Sequence, residues 1–562
     1  MDKITYRIPE NAVEDALAFR REVERFISGQ TSATAFKALR VPMGIYEQRE
    51  SDTYMVRIRG AAGIFLPHQA NLIADLAEKF GDGKVHVTTR QDLQIHRVLI
   101  QDTPVILERL IEAGLSTRGG GGNTVRNISA CPHAGVCRDE AFDVSPYALA
   151  LTEYLIIDRA NFNLPRKFKV AFSGCGQDCS LASVTDLGFF AHSQSGIHGF
   201  SVYAGGGMGA HSTIGVLIED FIPAQELFEV AEAVKRLFDK YGDRTNRHKA
   251  RLRFVLERFG TEEFRRLYKL ELEQVRLEGI STPRIKPNGE TASKSDASYG
   301  NPHNDHNFLV WRSKYATSQK QANLYMTNVP LELGLITSSS LKIIADAASQ
   351  IGNGTLRTTQ QQGLQLRNVP ESRLYDLYKT LQVTGISFPA IKSVKCVACT
   401  GASTCRLGLC LSRGLATAIE AEFSEIEFPF EVPIKISGCP NSCGHHPIAP
   451  IGLHGGASRA GGRLFPVYFL YAGGKVGEGA AKLGQLVAKI PAKAVPALLR
   501  EFCMAATKEH RASESLDELL HRWGIDHLGA LAEKYKQNPS YEDSPEFYRD
   551  FGCAEDFSPA RR

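Results

Sequence analysis

The chain has 562 residues, 43% hydrophobic and 23% charged, and 66 basic against 62 acidic residues leave a net charge of +4. That length predicts about four ordinary domains; no run reaches the roughly 20 apolar residues of a membrane span, and no single-sign run marks a nucleic-acid surface. A cytoplasmic protein with no membrane or nucleic-acid partner is expected, and its 12 cysteines, kept reduced there, are expected to be metal-held thiols rather than disulfides.

Residues 1–50 read as an N-terminal arm, amphipathic and acid-bearing at its start, unlike a signal peptide. From 72, "LIADLAEKFGDG" reads as a helix ending in glycine and "KVHVTTRQDLQIHRV" as an alternating strand, an α+β half-domain over 51–118. Residues 119–280 form the next domain, where "LPRKFKVAFSGC" would place Lys167 and Lys169 two apart on one strand face. An apolar run is an odd place for solvated lysines. "VYAGGGMG" at 202 is a strand opening into a Gly-rich turn where the backbone approaches something closely, and 223–275 reads as helical. Residues 281–306, rich in Ser, Pro, Gly, Asn and Asp, read as a solvated linker. A second half-domain, 307–388, repeats the helix as "IIADAASQIGNG" and the strand as "TLRTTQQQGLQLRNV". A fourth domain, 389–530, contains "LYAGGKVG", and 531–562 form a tail.

The chain repeats itself. At an offset of 344 − 73 = 271, the window Ile73 to Gln94 matches ten of its 22 counterparts, including Gly81, Gly83, Gln91 and Leu93. At an offset of 264, Cys175, Cys179 and Gly188 fall on Cys439, Cys443 and Gly452. The same offsets carry Arg90 onto Gln361, and Lys167 and Lys169 onto Glu431 and Pro433, so the second half has lost the basic residues of the first.

Cys399, Cys405, Cys439 and Cys443 form C-x5-C followed, after 33 residues, by C-x3-C in "SGCPNSCG". Four thiolates suit zinc or an iron–sulfur cluster. The lone C-x2-C, Cys396 with Cys399, has no partner C-x2-C, which favours iron–sulfur over a zinc ribbon. Cys396, Cys410, Cys503 and Cys553 read as small hydrophobes. In the first half "ACPHAGVC" and "SGCGQDC" set Cys131, Cys137, Cys175 and Cys179 in the same pattern with 37 residues between the pairs. Two readings stay open there, a second cluster or four packed thiols.

"CTGASTC" with "SGCPNSCG" resembles the cluster motif of the sirohaem-containing sulfite and nitrite reductases, and "FKALRVPMGIYEQR", "TTRQDLQIH", "NTVRNISACPHAG", "NLPRKFKVAFSGC" and "AGGGMG" resemble that family's first half. The resemblance implies an internally duplicated α+β fold, with two ferredoxin-like half-domains and two sirohaem/iron–sulfur domains related by pseudo-two-fold symmetry. It implies one centre in which Cys443 joins a four-iron four-sulfur cluster to the sirohaem iron. Arg59, Arg126, Lys167 and Lys169 match the residues around the substrate anion; Arg90, His96, Asn123, Arg251 and Arg253 fall in segments that contact the sirohaem carboxylates or line the pocket. Arginine forks and lysine ammonium groups are what an oxyanion losing oxygen as water requires.

The family's "RKFK" accompanies sulfite reduction and "RKFN" nitrite reduction, so sulfite reduction to sulfide is expected, with nitrite to ammonia the alternative and a non-catalytic iron–sulfur or zinc protein a minor one. No "GxGxxG" opens a helix after a strand, so electrons are expected from a separate protein, a ferredoxin or a flavoprotein.

Overall fold

The computed structural model describes residues 5–286, 305–389 and 394–559, so most of the expected linker lies outside the described residues. Two compact units are present. The larger takes the chain up to Glu47, Asp52–Gly207 and Gly215–Phe388; the smaller takes Gln48–Ser51, Met208–Ile214 and the chain from Pro389.

Within the larger unit the two half-domains exchange strands. One five-stranded sheet runs Ile45–Glu47, Thr53–Ile58, Leu93–Leu99, Lys84–Val87 and then Leu335–Thr337 from the second half; the other runs Ala316–Ser318, Leu324–Val329, Leu364–Pro370, Leu356–Thr358 and then Ile64–Phe65 from the first. Leu335 pairs with His86, and Leu356 with Phe65. The helices Pro67–Phe80 and Ser338–Gln350 carry the repeat onto the same symmetry: Asn71 donates to Asp346 at 3.2 Å, and Lys342 pairs with Asp75 at 2.6 Å. At the offset of 271 these two pairs exchange. Ile73, Val85 and Ile95 share one apolar core with Ile344, Leu356 and Leu366; each such side chain contributes about 1.5–3 kcal/mol when fully buried.

The segment expected as an arm contains two helices, Ala12–Ile27 and Ala33–Arg40, and the edge strand Ile45–Glu47. The stretch 84–98, expected as one strand, is a hairpin. Gln91 takes a left-handed conformation, Thr88 N donates to Asp92 O, and Thr88 Oγ1 accepts from the backbone N of Arg90 and Asp92, which closes the turn. This turn lifts Arg90 out of the sheet. Gln362 is left-handed at the equivalent place in the second half. The helical stretch 223–275 resolves into Leu227–Tyr241, Leu252–Phe259 and Thr261–Glu278.

The third sheet of the larger unit runs Val125–Ala130, Phe168–Ser173, Leu187–Gln194, Ile197–Ala204 and Val216–Pro223, the first three parallel and the rest antiparallel. The sheet of the smaller unit runs Val394–Ala398, Val432–Ser437, Ile451–Ala460, Arg463–Ala472 and Gln485–Pro491 in the same sense. The tail packs on that sheet, with Tyr548 buried beside Phe465 and Val467.

Candidate functional site

In the larger unit, alternation on Phe168–Ser173 sends Phe168, Val170 and Phe172 into the core and leaves Lys169 half-buried on the other face. Lys169 faces a concentration of positive charge. Its ammonium is driven well below the usual lysine range, first by burial and then by Arg90, Lys167 and Arg251, with Asp186 opposing. Asp186 is fully buried and accepts Arg251 through two bonds, 3.0 Å from Nε and 2.7 Å from Nη2, while its Oδ2 also takes the backbone N–H of Lys169 at 2.9 Å. The turn at 88–92 brings Arg90 to Asn127 O at 2.6 Å, and burial lowers Arg90 to about 10.

Arg126 extends the patch, donating to Gly120 O at 3.0 Å and Gly122 O at 3.1 Å while its Nε is buried without a hydrogen-bond partner. Tyr46, 3.4 Å from Arg126 Nη2, is lowered: burial raises it, but Arg126 and Arg57 together prevail. Arg253 is buried, its Nε and Nη1 have no hydrogen-bond partner, and burial followed by repulsion from Arg251 lowers it to about 10. A Cβ at Gly207 would stand 2.8 Å from Arg253 Nη1 and 3.0 Å from Arg251 Nη2, so glycine here lets two guanidinium groups lie against the backbone. Buried guanidinium N–H groups with no acceptor are costly. A polycarboxylate macrocycle such as sirohaem fits that set as its missing acceptor.

Three expected residues sit differently. Arg59 donates four bonds to backbone carbonyls, those of Arg118 (3.3 and 2.8 Å), Arg126 (3.0 Å) and Val125 (3.2 Å), so its fork ties the 118–126 segment to the strand Thr53–Ile58. His96 is buried, its ring 5.6 Å from that of His86, which bonds Gln94 on the same strand face. Asn123 is exposed and accepts from Arg166 Nη1 at 3.2 Å. Sequence reasoning missed Asp186, Asp92 and Arg166. The carboxylates had a signal, because the offsets place Pro450 and Gly363 opposite Asp186 and Asp92, so they occur only in the half that has the bases.

In the smaller unit the four expected cysteines come together. Cys399 N–H donates to Ile436 O at 3.1 Å and Cys405 N–H to Gly401 O at 3.0 Å, which folds "CTGASTC" into a loop over the strand Val432–Ser437. Left-handed Ser442 and His445 turn the chain around Cys443, and Ser442 Oγ donates to Gly209 O at 3.0 Å. The Cys439 thiol is electrostatically coupled to Cys443, Cys399 and Cys405. Burial pushes Cys439 up to about 12 and Cys399 up to about 11. Gly438 N–H donates to Cys399 Sγ at 3.2 Å. Cys443 is the exposed member. Among the described residues no three His, Cys, Asp or Glu side chains converge tightly enough for a single metal ion; a cuboidal cluster, which puts an iron behind each thiolate, does not require convergence on a point. Four coupled thiols with N–H···S donors fit such a cluster. Cys410 and Cys503 are buried, the former donating to Gly456 O at 3.2 Å.

The model described as the nitrite and sulphite reductase 4Fe-4S domain matches residues 121–276 and 392–540, and the nitrite/sulfite reductase ferredoxin-like half domain matches 46–113 and 317–383. Each matches once in each half. The chain is 31% identical to a ferredoxin–nitrite reductase of Synechococcus elongatus over 459 residues, 80% of this chain and 85% of that protein. It is 28% identical to a ferredoxin sulfite reductase of Mycolicibacterium paratuberculosis over 463 residues, 78% of this chain and 79% of that one. The solved structure of the Mycobacterium tuberculosis NirA protein shares the fold, with a TM-score of 0.77, 23% identity and coverage of 92% of this chain and 98% of that one. Among the described residues no helix is long and apolar enough to cross a membrane.

Proposed function

From a chain that belongs to the nitrite and sulphite reductase family, whose cofactors are sirohaem and a four-iron four-sulfur cluster, we propose the six-electron reduction of sulfite to sulfide. Cys399, Cys405, Cys439 and Cys443 would hold the cluster. The sirohaem, when bound, would supply the redox chemistry at which the anion is reduced. The protein's own contribution is charge and protons. Arg251 and Arg253 take the macrocycle's carboxylates, and Arg126, Lys167 and Lys169 take the substrate oxygens. Electrons come from a ferredoxin, the donor named for both relatives.

The observation that carries this reading is Lys169. Four cations, Arg90, Lys167, Lys169 and Arg251, act on one another against the single carboxylate Asp186. An arriving anion offsets part of that imbalance and raises the Lys169 pKa, so the lysine binds a proton as the substrate binds and holds it at Nζ beside the oxygen that must leave as water. A doubly charged anion gains most from this surplus. Replacement of Lys169 with Asn is expected to lower kcat/KM for sulfite by about 10- to 150-fold, one charge-assisted hydrogen bond of roughly 1.5–3 kcal/mol, and for nitrite by less. Equal losses with a reduced dye as donor would refute the assignment. The second reading, nitrite to ammonia at the same centre, is favoured by the relative at 31% identity and by "CTGASTC" and "CPNSCG", which resemble the nitrite-reducing branch.

A further inference from the structure

The first half repeats the backbone scaffold of the cluster site. Cys131 N–H donates to Phe172 O at 2.9 Å as Cys399 N–H does to Ile436 O at 3.1 Å, and Cys137 N–H donates to His133 O at 3.0 Å as Cys405 N–H does to Gly401 O at 3.0 Å. Asp178 and Leu181 are left-handed where Ser442 and His445 are, at the same offset of 264. The backbone groups that act to lower the thiols stand in the same register: His133 for Cys131 as Gly401 for Cys399, Asp139 for Cys137 as Leu407 for Cys405, and Gln177 for Cys175 as Asn441 for Cys439.

The four first-half thiols also lie within electrostatic reach of one another: Cys179 and then Cys175 act on Cys131, Cys179 and then Cys137 act on Cys175, and Cys179 acts on Cys137. Cys179 is exposed, as Cys443 is. Four packed free thiols do not by themselves require the left-handed pair at 178 and 181, whose strain persists only where the surroundings demand it. Positive charge stands beside both loops. The fully buried Arg367 donates to Ala134 O at 2.6 Å inside the 131–137 loop, as Arg49 donates to Gly408 O at 2.7 Å next to Cys405.

We propose that Cys131, Cys137, Cys175 and Cys179 hold a second four-iron four-sulfur cluster. Its four thiols each lose a proton to solvent as the cluster seats, and the cluster then gains or loses single electrons. It carries no anion-reducing centre of its own, because the positions equivalent to Arg90, Lys167 and Lys169 are Gln361, Glu431 and Pro433.

The test is anaerobic purification of the full chain with iron, zinc, acid-labile sulfide and sirohaem counted per polypeptide. About eight sulfides per chain are expected, from two cubane clusters, falling to about four in a Cys131→Ser/Cys175→Ser variant that keeps its sirohaem. Low-temperature EPR of the dithionite-reduced wild-type protein is expected to show two cluster signals, which keeps the proposal testable if the variant does not fold. About four sulfides in the wild-type protein, zinc in place of the extra iron, or an unchanged sulfide count in the folded variant would each overturn it. Loss of sirohaem with eight sulfides retained would overturn the proposed reductase function and leave the second cluster standing.

Discussion

The buried Asp186–Arg251 pair gives the sharpest quantitative expectation. Asp186 is 0% exposed and accepts three bonds, two from Arg251 and one from the Lys169 backbone. Asn at 186 keeps the shape but removes the one negative charge facing Arg251 and Lys169, and its amide can accept only part of the fork. Charge-assisted bonds contribute about 1.5–3 kcal/mol each, and breaking a buried ion pair from one side costs roughly 3–5 kcal/mol. Hydrogen exchange of the strands Phe168–Ser173 and Leu187–Gln194 reads that loss locally. At 1.4 kcal/mol per tenfold, Asp186→Asn should accelerate their slowest amides by about 10²- to 4 × 10³-fold. The double variant Asp186→Leu/Arg251→Met should recover most of the protection, because replacing both partners with apolar groups of similar volume is often neutral. If Asp186→Asn changed exchange by less than about threefold, or the double variant were as unstable as the single, the charge-balance account would be wrong.

Because Lys169 sits well below its usual range, the free site is uncharged at Nζ above that depressed value and anion binding must take up a proton. Nitrite kcat/KM should therefore fall by up to about tenfold per pH unit as pH rises, and Lys169→Arg, which stays protonated, should flatten the profile; an unchanged slope would exclude Lys169 as its source. Arg59, with four bonds to carbonyls, should be a stability residue: Arg59→Lys is expected to lower the unfolding free energy by about 2–4 kcal/mol, with KM for the anion little changed, and the reverse pattern would return Arg59 to the anion. In the smaller unit, burial and then the charge of His454 push His446 down to about 3. The unfolded chain takes that proton near pH 6.5 and the folded one does not, so stability should be full above 6.5 and decline by about 1.4 kcal/mol per pH unit below it. Denaturant midpoints of wild type and His446→Asn should converge on acidification; parallel curves would refute it.

The duplication was legible because glycine, cysteine and strand-core positions recur at fixed offsets, and these are the residues a backbone cannot exchange freely. The strand swap was not. Ile64–Phe65 and Leu335–Thr337 are two and three residues long, too short for periodicity to declare them, and their partners lie roughly 270 residues away. The hairpin at 84–98 was hidden because Thr88 and Gln91 hold it without a glycine or proline at the turn. Lys167 and Lys169 stood out as charge in an apolar run, and Arg90 only through the resemblance of its segment. Arg59 shares that signature, yet backbone carbonyls occupy its fork, and sequence does not tell a guanidinium aimed at a ligand from one aimed at a loop.

The two halves differ by a coupled set of residues. Lys169 contributes an ammonium and also a backbone N–H bonded to Asp186. At the equivalent positions stand Pro433, which has no N–H to donate, and Pro450, which has no carboxylate to receive one. A buried carboxylate without its cations is uncompensated at several kcal/mol, so cation, carboxylate and N–H are present together in one half and absent together from the other. The cysteine scaffold was under no such coupling to the charges. Its cysteine spacing and left-handed turns stand in both halves, the pattern expected if both loops hold iron and sulfide while one half alone supplies the anion's cations.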